Sequence, residues 1–311
     1  MNQVETDTII KQKNSSILME NNLKSRHAVE KIGYSFLWLA GFITVALLVW
    51  IVGYVMVQGL EVVNLEFLTT RPAGGVSGEG GISTTIVTTL YLVLLTIGIA
   101  APLGIGAAIY LVEYAGEMER ESKIIAFLIK LARMGVETLS GVPSIIFGLF
   151  GFALFVSAMK LKFSLLSAGL SGAALVLPVI IRTSEEALLT VPMSYREGSL
   201  GLGATKWQTT WNVVIPAALP GIVTGIVLSV GRIIAETAIF WVTLGGSYRL
   251  PTSLLSSGRT MALHVYSLAS ETRAFDKAMG TAAILIITIV LLNLIINFIS
   301  RKFNERTTGK Q

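Results

Sequence analysis

Between Lys206 and Arg249 the sequence carries two charged side chains, Arg232 and Glu236, in a stretch that is otherwise apolar or neutral. Spaced i and i+4, they fall on one face of a helix. A guanidinium is a planar fork of N–H donors that matches an oxyanion, and charge-assisted hydrogen bonds of this kind are strong in a low-dielectric cavity. Such a pair can capture and release an anion, the carboxylate holding the arginine when the path is empty. The same spacing suits a structural intrahelical ion pair, or an arginine snorkelling to the headgroups. Depth separates these readings. From Ile215 to Arg232 the chain advances 17 residues, or about 25 Å of helix. That puts Arg232 in the outer part of a bilayer unless the helix tilts or extends.

Other chemistries are missing. There are no cysteines, so there is no disulfide framework, thiolate metal site, Fe–S cluster or Cys nucleophile. His27 and His264 lie in different segments on opposite sides and read as solvated loop histidines. The nearest approach to a phosphate-binding P-loop, Gly201-Leu202-Gly203-Ala204-Thr205-Lys206, lacks the Gly before Lys. No catalytic residue, metal ligand or cofactor is expected. The absence of clustered His, Cys or paired intramembrane acids argues against a membrane-embedded enzyme.

The elements that must position these residues follow from composition. Of 311 residues, 53% are hydrophobic and 14% charged, with a mean hydropathy of +0.71. Soluble domains carry about 25% charged residues, so a cytosolic globular enzyme and a disordered scaffold are both excluded. A bilayer core needs roughly 20 apolar residues of helix. Six runs without Asp, Glu, Lys or Arg meet or approach that length: 32–60, 80–112, 138–159, 163–181, 207–231 and 278–300. They predict an all-α polytopic membrane protein with six transmembrane helices. A seventh run, 237–248, is too short to span; it either extends the fifth helix or forms a re-entrant turn.

Residues 1–31 read as a polar cytoplasmic tail before an uncleaved first helix, 32–300 as the transmembrane domain, and 301–311 as a cytoplasmic C-terminal tail. With the N-terminus inside, 16 of the 24 Lys and Arg fall in inner segments and seven in outer ones, the bias that orients membrane proteins. The net charge of +5 then reflects topology, not nucleic-acid binding. The inner loops are 113–137 and 182–206. The outer ones are 61–79, with Gly74-Gly75 and Gly78 to Gly81, and 249–277.

The inner stretch 182–212 is too apolar for a simple solvated loop, because of Leu188, Leu189, Val191 and Met193. Short helical pieces are expected there, broken at Pro192 and by Gly198, Gly201 and Gly203. Exposed apolar residues at a membrane face need a partner surface or the headgroup region. Gly221 and Gly225, four apart, permit close helix packing.

Within this stretch, Glu197-Gly198-Ser199, then three residues, Gly203, nine residues and Val213-Val214-Ile215-Pro216 resembles the permease loop of ABC importers. That motif reads E-A-A, three residues, G, nine residues, I-x-L-P; the Ala-Ala pair is Gly-Ser here. Gly141-Val142-Pro143-Ser144-Ile145-Ile146-Phe147-Gly148-Leu149-Phe150-Gly151, Gly231-Arg232-Ile233-Ile234-Ala235-Glu236-Thr237-Ala238 and the segment 251–264 are similar to the PstA-type permease subunit of phosphate ABC importers. The likeness covers nearly all of residues 35–300; Ala235 replaces the Gly usual before Glu-Thr.

The resemblance implies the ABC importer type I permease fold, in the plasma membrane of a prokaryote. It implies a homologous PstC-type permease partner, two ATP-binding subunits and an extracytoplasmic phosphate-binding protein. It places Arg232, Glu236 and Thr237 on the substrate path, and Glu197, Gly198, Ser199, Gly203 and Pro216 in the coupling loop. Sulfate, molybdate or phosphonate are the rival cargoes, since the residues alone specify only an anion. A secondary transporter driven by an ion gradient is disfavoured by the permease-loop spacing.

Overall fold

The computed structural model describes residues 3–73, 78–116, 122–271 and 274–308; Gly74-Gly75 and residues 309–311 of the C-terminal tail lie outside them. The chain divides into two units, residues 1–57 and 58–311. In the first, the described residues are helical throughout, as part of α1 (Gln3–Val62). The polar tail read from the sequence therefore continues the helix of the first span. The second unit holds α2 (Leu65–Thr69) and α3 (Ser83–Ile109), which runs into a π-turn at Tyr110–Tyr114. Next come α4 (Lys123–Ser140) and α5 (Ser144–Gly151), the latter continued by a π-turn at Phe152–Ala158. Then follow α6 (Leu165–Leu189), α7 (Met193–Gly201) and α8 (Lys206–Thr209). A π-turn at Thr210–Val214 leads into α9 (Ile215–Ala235). The chain closes with α10 (Ala238–Leu244), α11 (Met261–Glu271) and α12 (Phe275–Thr308).

Among the described residues, five helices are long and apolar enough to cross a membrane, and six if a bent pair counts as one. That pair corrects the sequence reading. The third span does not run straight from 138, and the supposed loop 113–137 is largely helix. α4 and the helix over 144–158 meet at 110°. Pro143 causes the bend. It lacks an N–H and pushes the preceding residue out of the helical region, and it stands extended as the cap of α5 (φ −56°, ψ 139°). Ile129 of α4 is buried in a cluster with Leu111, Ala115 and Ile181, with Ile125 and Val136 packed against it. Its other face exposes Ile124, Phe127, Leu128 and Leu131.

α6 is the centre of the bundle. Leu175, Val176 and Ile180 pack with Leu92 and Ala100 of α3, Ile233 and Ile234 of α9, and Ile239 and Phe240 of α10. The α6–α9 contact depends on the two glycines noted above. A Cβ at Gly225 would lie 2.8 Å from Thr183 Cβ, and one at Gly221 would lie 3.3 Å from Ala187 Cα. Nearer the end that bears α7, Ala108, Leu188, Val191, Val214, Ala218 and Ile222 form a second apolar cluster. Two regions therefore rest on well-packed supports: the junction of α9 and α10 at one end, and the α7–α8 loop at the other.

Candidate functional site

At the first region, α9 ends at Ala235 and α10 restarts at Ala238. Glu236 is extended (φ −74°, ψ 130°), and Thr237 caps the restart (φ −118°). Its carbonyl accepts from Trp241 N–H at 3.0 Å, and the Glu236 carboxylate lies 3.5 Å from Ile239 N. The expectation that Arg232 and Glu236 share one helical face fails here, because the helix stops before Glu236. Among the described residues they form no ion pair. Arg232 is exposed, as are Thr224 and Leu228 on the same stripe of α9, while Ser229, Val230, Ile233 and Ile234 are buried. Glu236 and Thr237 are half-buried.

The short run 237–248 forms neither an extension of α9 nor a span. It is a separate buried helix, α10, whose Ile239, Phe240, Thr243 and Leu244 are enclosed. It stops at Gly245 and Gly246, both with positive φ (90° and 74°), where only glycine sits without strain.

Beyond it the chain is pinned across the end of the bundle. Thr84 Oγ1 donates to the Tyr248 carbonyl at 3.0 Å. Met261 N–H donates to Thr89 Oγ1 at 2.9 Å, and Leu165 N–H to the Ser256 carbonyl at 3.0 Å. Arg259 donates from Nε to the Gly246 carbonyl at 3.0 Å and stacks 4.2 Å over the Tyr248 ring. His264 is not a solvated loop residue. It is 5% exposed, because α11 buries its first turn, and its Nδ1 has no hydrogen-bond partner. Its ring stands edge-on to Tyr248. Burial, with the Arg259 charge beside it, pushes its pKa down to about 4.

At the second region, α6 runs on to Leu189 and Pro192 caps α7. Pro192 breaks the chain as expected. Gly198 does not, since it lies within α7, whereas Gly201 is the last residue of that helix. Gly203, at φ +87°, makes the turn to α8 and has open space around it. Thr205 and Gln208 close a reciprocal capping box on α8. Pro216 has no N–H for the helix ladder, and the π-turn at 210–214 lies just before it. Glu197 and Gly198 are exposed, and Ser199 Oγ lies 2.9 Å from Thr209 Oγ1.

The apolar residues of this loop divide between two jobs. Leu188 and Val191 are buried, whereas Leu189, Met193, Tyr195, Leu200, Trp207 and Trp211 are exposed, with Leu202 at 91%. A groove of about 650 Å³ runs beneath α7, between Leu189, Met193, Leu200 and Glu113. One contact here escaped the sequence reading: Arg196 of α7 is ion-paired to Glu113, at 2.7 Å. The two are 83 residues apart, and no local pattern signals it.

Residues 123–309 match the model of the family described as binding-protein-dependent transport system inner membrane component. The chain is 32% identical to "Phosphate transport system permease protein PstA 1" of Mycobacterium tuberculosis, over 86% of this chain and 88% of that one. It is 28% identical to the "Probable ABC transporter permease protein YqgI" of Bacillus subtilis, over 92% and 99%. Its fold is similar to that of a bacterial alginate ABC transporter solved with an alginate-bound periplasmic protein (TM-score 0.59, 14% identity, 89% of this chain and 98% of that one). The apolar spans and the all-helical fold agree with this match. The chain belongs to the family of inner membrane components of binding-protein-dependent transport systems.

Proposed function

We propose that this chain is a permease subunit of an ATP-driven phosphate importer, with both termini on the cytoplasmic side of a prokaryotic plasma membrane. The relatives named as phosphate transport permeases support the cargo. The observation that carries the site is Arg232, an exposed guanidinium on α9 with no partner among the described residues, one turn before the helix break. An uncompensated arginine in the hydrocarbon region of a bilayer is costly. It is held where it faces protein or a water-filled path.

A homologous permease subunit closes that path. Phosphate leaves an extracytoplasmic binding protein and meets the Arg232 fork, with Thr237 offering a hydroxyl nearby. Glu236 weakens the capture so that the ion is not trapped. At the cytoplasmic end, α7 and the turn at Gly203 dock on one of two ATP-binding subunits through Glu197, Gly198 and Ser199, with Pro216 setting the start of α9. Hydrolysis occurs on those subunits; this chain supplies half the path and one docking loop.

Uptake of labelled phosphate tests the reading. The cells lack their own high-affinity system and express the full complex with wild-type or Arg232→Gln subunit, with excess sulfate as competitor. ATP-dependent, sulfate-resistant uptake that is lost in Arg232→Gln is expected. Uptake indifferent to Arg232 overturns the site, and an assembled complex that hydrolyses ATP without moving phosphate overturns the cargo.

A further inference from the structure

We propose that Arg196 is a positioning residue that locks the docking helix α7 to two spans at once, so that a push on α7 moves them as one body. All three guanidinium nitrogens are engaged. Nε donates to Glu113 Oε1 at 3.1 Å and Nη2 to the same oxygen at 2.7 Å. Nη2 also donates to the Leu188 carbonyl at 2.9 Å, and Nη1 to the Val191 carbonyl at 2.7 Å. Glu113 belongs to the π-turn that ends α3. Leu188 lies in the last turn of α6, where the final carbonyls have no partner within the helix and carry the negative end of its dipole, and Val191 follows in the connection to α7. One side chain thus ties α7 to α3 through an ion pair, to α6 through the Leu188 carbonyl and to the connection between α6 and α7 through the Val191 carbonyl.

The surroundings make the tie stiff. The two side chains are 12% and 8% exposed, beside the apolar cluster of Ala108, Leu188, Val191 and Val214. In such a place a satisfied polar network has one arrangement, and a half-satisfied one is costly. Nothing in ATPase docking requires Arg196 itself, whose fork points into this chain while Glu197 next to it is exposed. A lysine cannot substitute, because one ammonium cannot serve a carboxylate and two divergent carbonyls with the planar geometry of the fork.

The inference rests on the reading of α7 as the docking helix. Its test uses the whole complex in proteoliposomes with the binding protein, carrying wild-type, Arg196→Lys or Glu113→Gln subunit. Three quantities are read: ATP hydrolysis, labelled phosphate moved per ATP, and amide hydrogen exchange over residues 193–201. Expected for Arg196→Lys is an assembled complex that still hydrolyses ATP, moves at least about tenfold less phosphate per ATP, and exchanges faster over α7 while α6 stays protected. Glu113→Gln, which keeps an acceptor oxygen, falls between. Wild-type phosphate per ATP and unchanged exchange in Arg196→Lys overturn the proposal. If Arg196→Lys fails to assemble, Glu113→Gln decides on the same readouts. If the wild-type complex moves no phosphate, the cargo reading fails; exchange over α7 and stimulation of hydrolysis by the binding protein then decide this one.

Discussion

Gly148 of α5 lies directly against Ile239 of α10: a Cβ on Gly148 would sit 3.0 Å from Ile239 Cα and 2.9 Å from Val242 Cγ2. Both helices follow breaks in the chain, at 141–143 and at 236–237. The two interrupted elements are thus braced against each other backbone to backbone. Interrupted helices at membrane depth survive where protein encloses them.

Gly148→Ala is therefore expected to push α10 outward and disturb Glu236 and Thr237 at its start. Overpacking of this kind costs about 1–3 kcal/mol. Gly98→Ala on α3 is the control, since a Cβ there meets nothing within 4 Å. Thermal denaturation of the purified complex, with phosphate uptake alongside, checks the pair. Equal melting points for the two variants would show that the contact is slack.

Glu236 and Arg232 do not pair, so on the proposed path the carboxylate would act on a captured anion through space and not by holding the arginine in a closed bridge. Glu236→Gln keeps the acceptor that faces Ile239 N and removes the charge. In a water-filled path, with a dielectric near that of bulk water, removing a like charge about 4 Å from the anion strengthens capture by ~1 kcal/mol, about fivefold. A lower KM with a lower kcat is expected, because release slows as binding tightens. Uptake kinetics in proteoliposomes report both; a raised KM would mean that Glu236 holds the break together and does not tune release.

The number of spans was legible because uncharged runs of this length have few other uses. The break at Pro192 and the turn at Gly203 were legible from those two residues. Pro143 marks the bend in the third span, but the uncharged run 138–159 carries on through it and hid the change of direction. By contrast, the break after Ala235 has no glycine or proline to mark it. It arises because α10 packs Ile239 and Phe240 into the core shared with α5 and α6, a tertiary effect that overrides local propensity. His264 was read as a loop residue because α11 is short and lies between charged ends. Its burial comes from α3 threonines that hold the chain down. No local pattern links Arg196 to Glu113, since only the folded chain brings 113 and 196 together.

Gly203 separates two explanations of the coupling loop. Its positive φ alone would make any Cβ cost about 1–2 kcal/mol, and Asn tolerates that conformation better than Val. The space around it is open, and on the proposed docking a partner would fill it. If docking needs the bare backbone, Gly203→Asn and Gly203→Val both lower phosphate moved per ATP by about tenfold or more, and Glu197→Lys does the same. If only strain matters, Gly203→Asn transports normally. Uptake and hydrolysis measured on the same vesicles distinguish the two.

His264 predicts a pH dependence with a definite sign. Its pKa falls from 6.5 to about 4 on burial, and Arg259 adds to the shift. Above pH 6.5 the ring is neutral in both the folded and unfolded chain and contributes nothing to the slope. Between pH 6.5 and about 4 the unfolded chain binds a proton that the folded chain excludes, so stability falls as pH falls, by at most about 1.4 kcal/mol per pH unit for one proton. Carboxylates titrate in the lower part of this window too, so the informative quantity is the difference between wild type and His264→Phe. The variant removes the titrating group, keeps a ring edge-on to Tyr248 and leaves no unsatisfied Nδ1. Its melting temperature is expected to gain on that of the wild type steadily as pH drops from 6.5 to 4. Parallel melting curves across that range would mean that His264 is protonated or solvated in the folded state, and that the packing of Tyr248, Arg259 and His264 is looser than drawn.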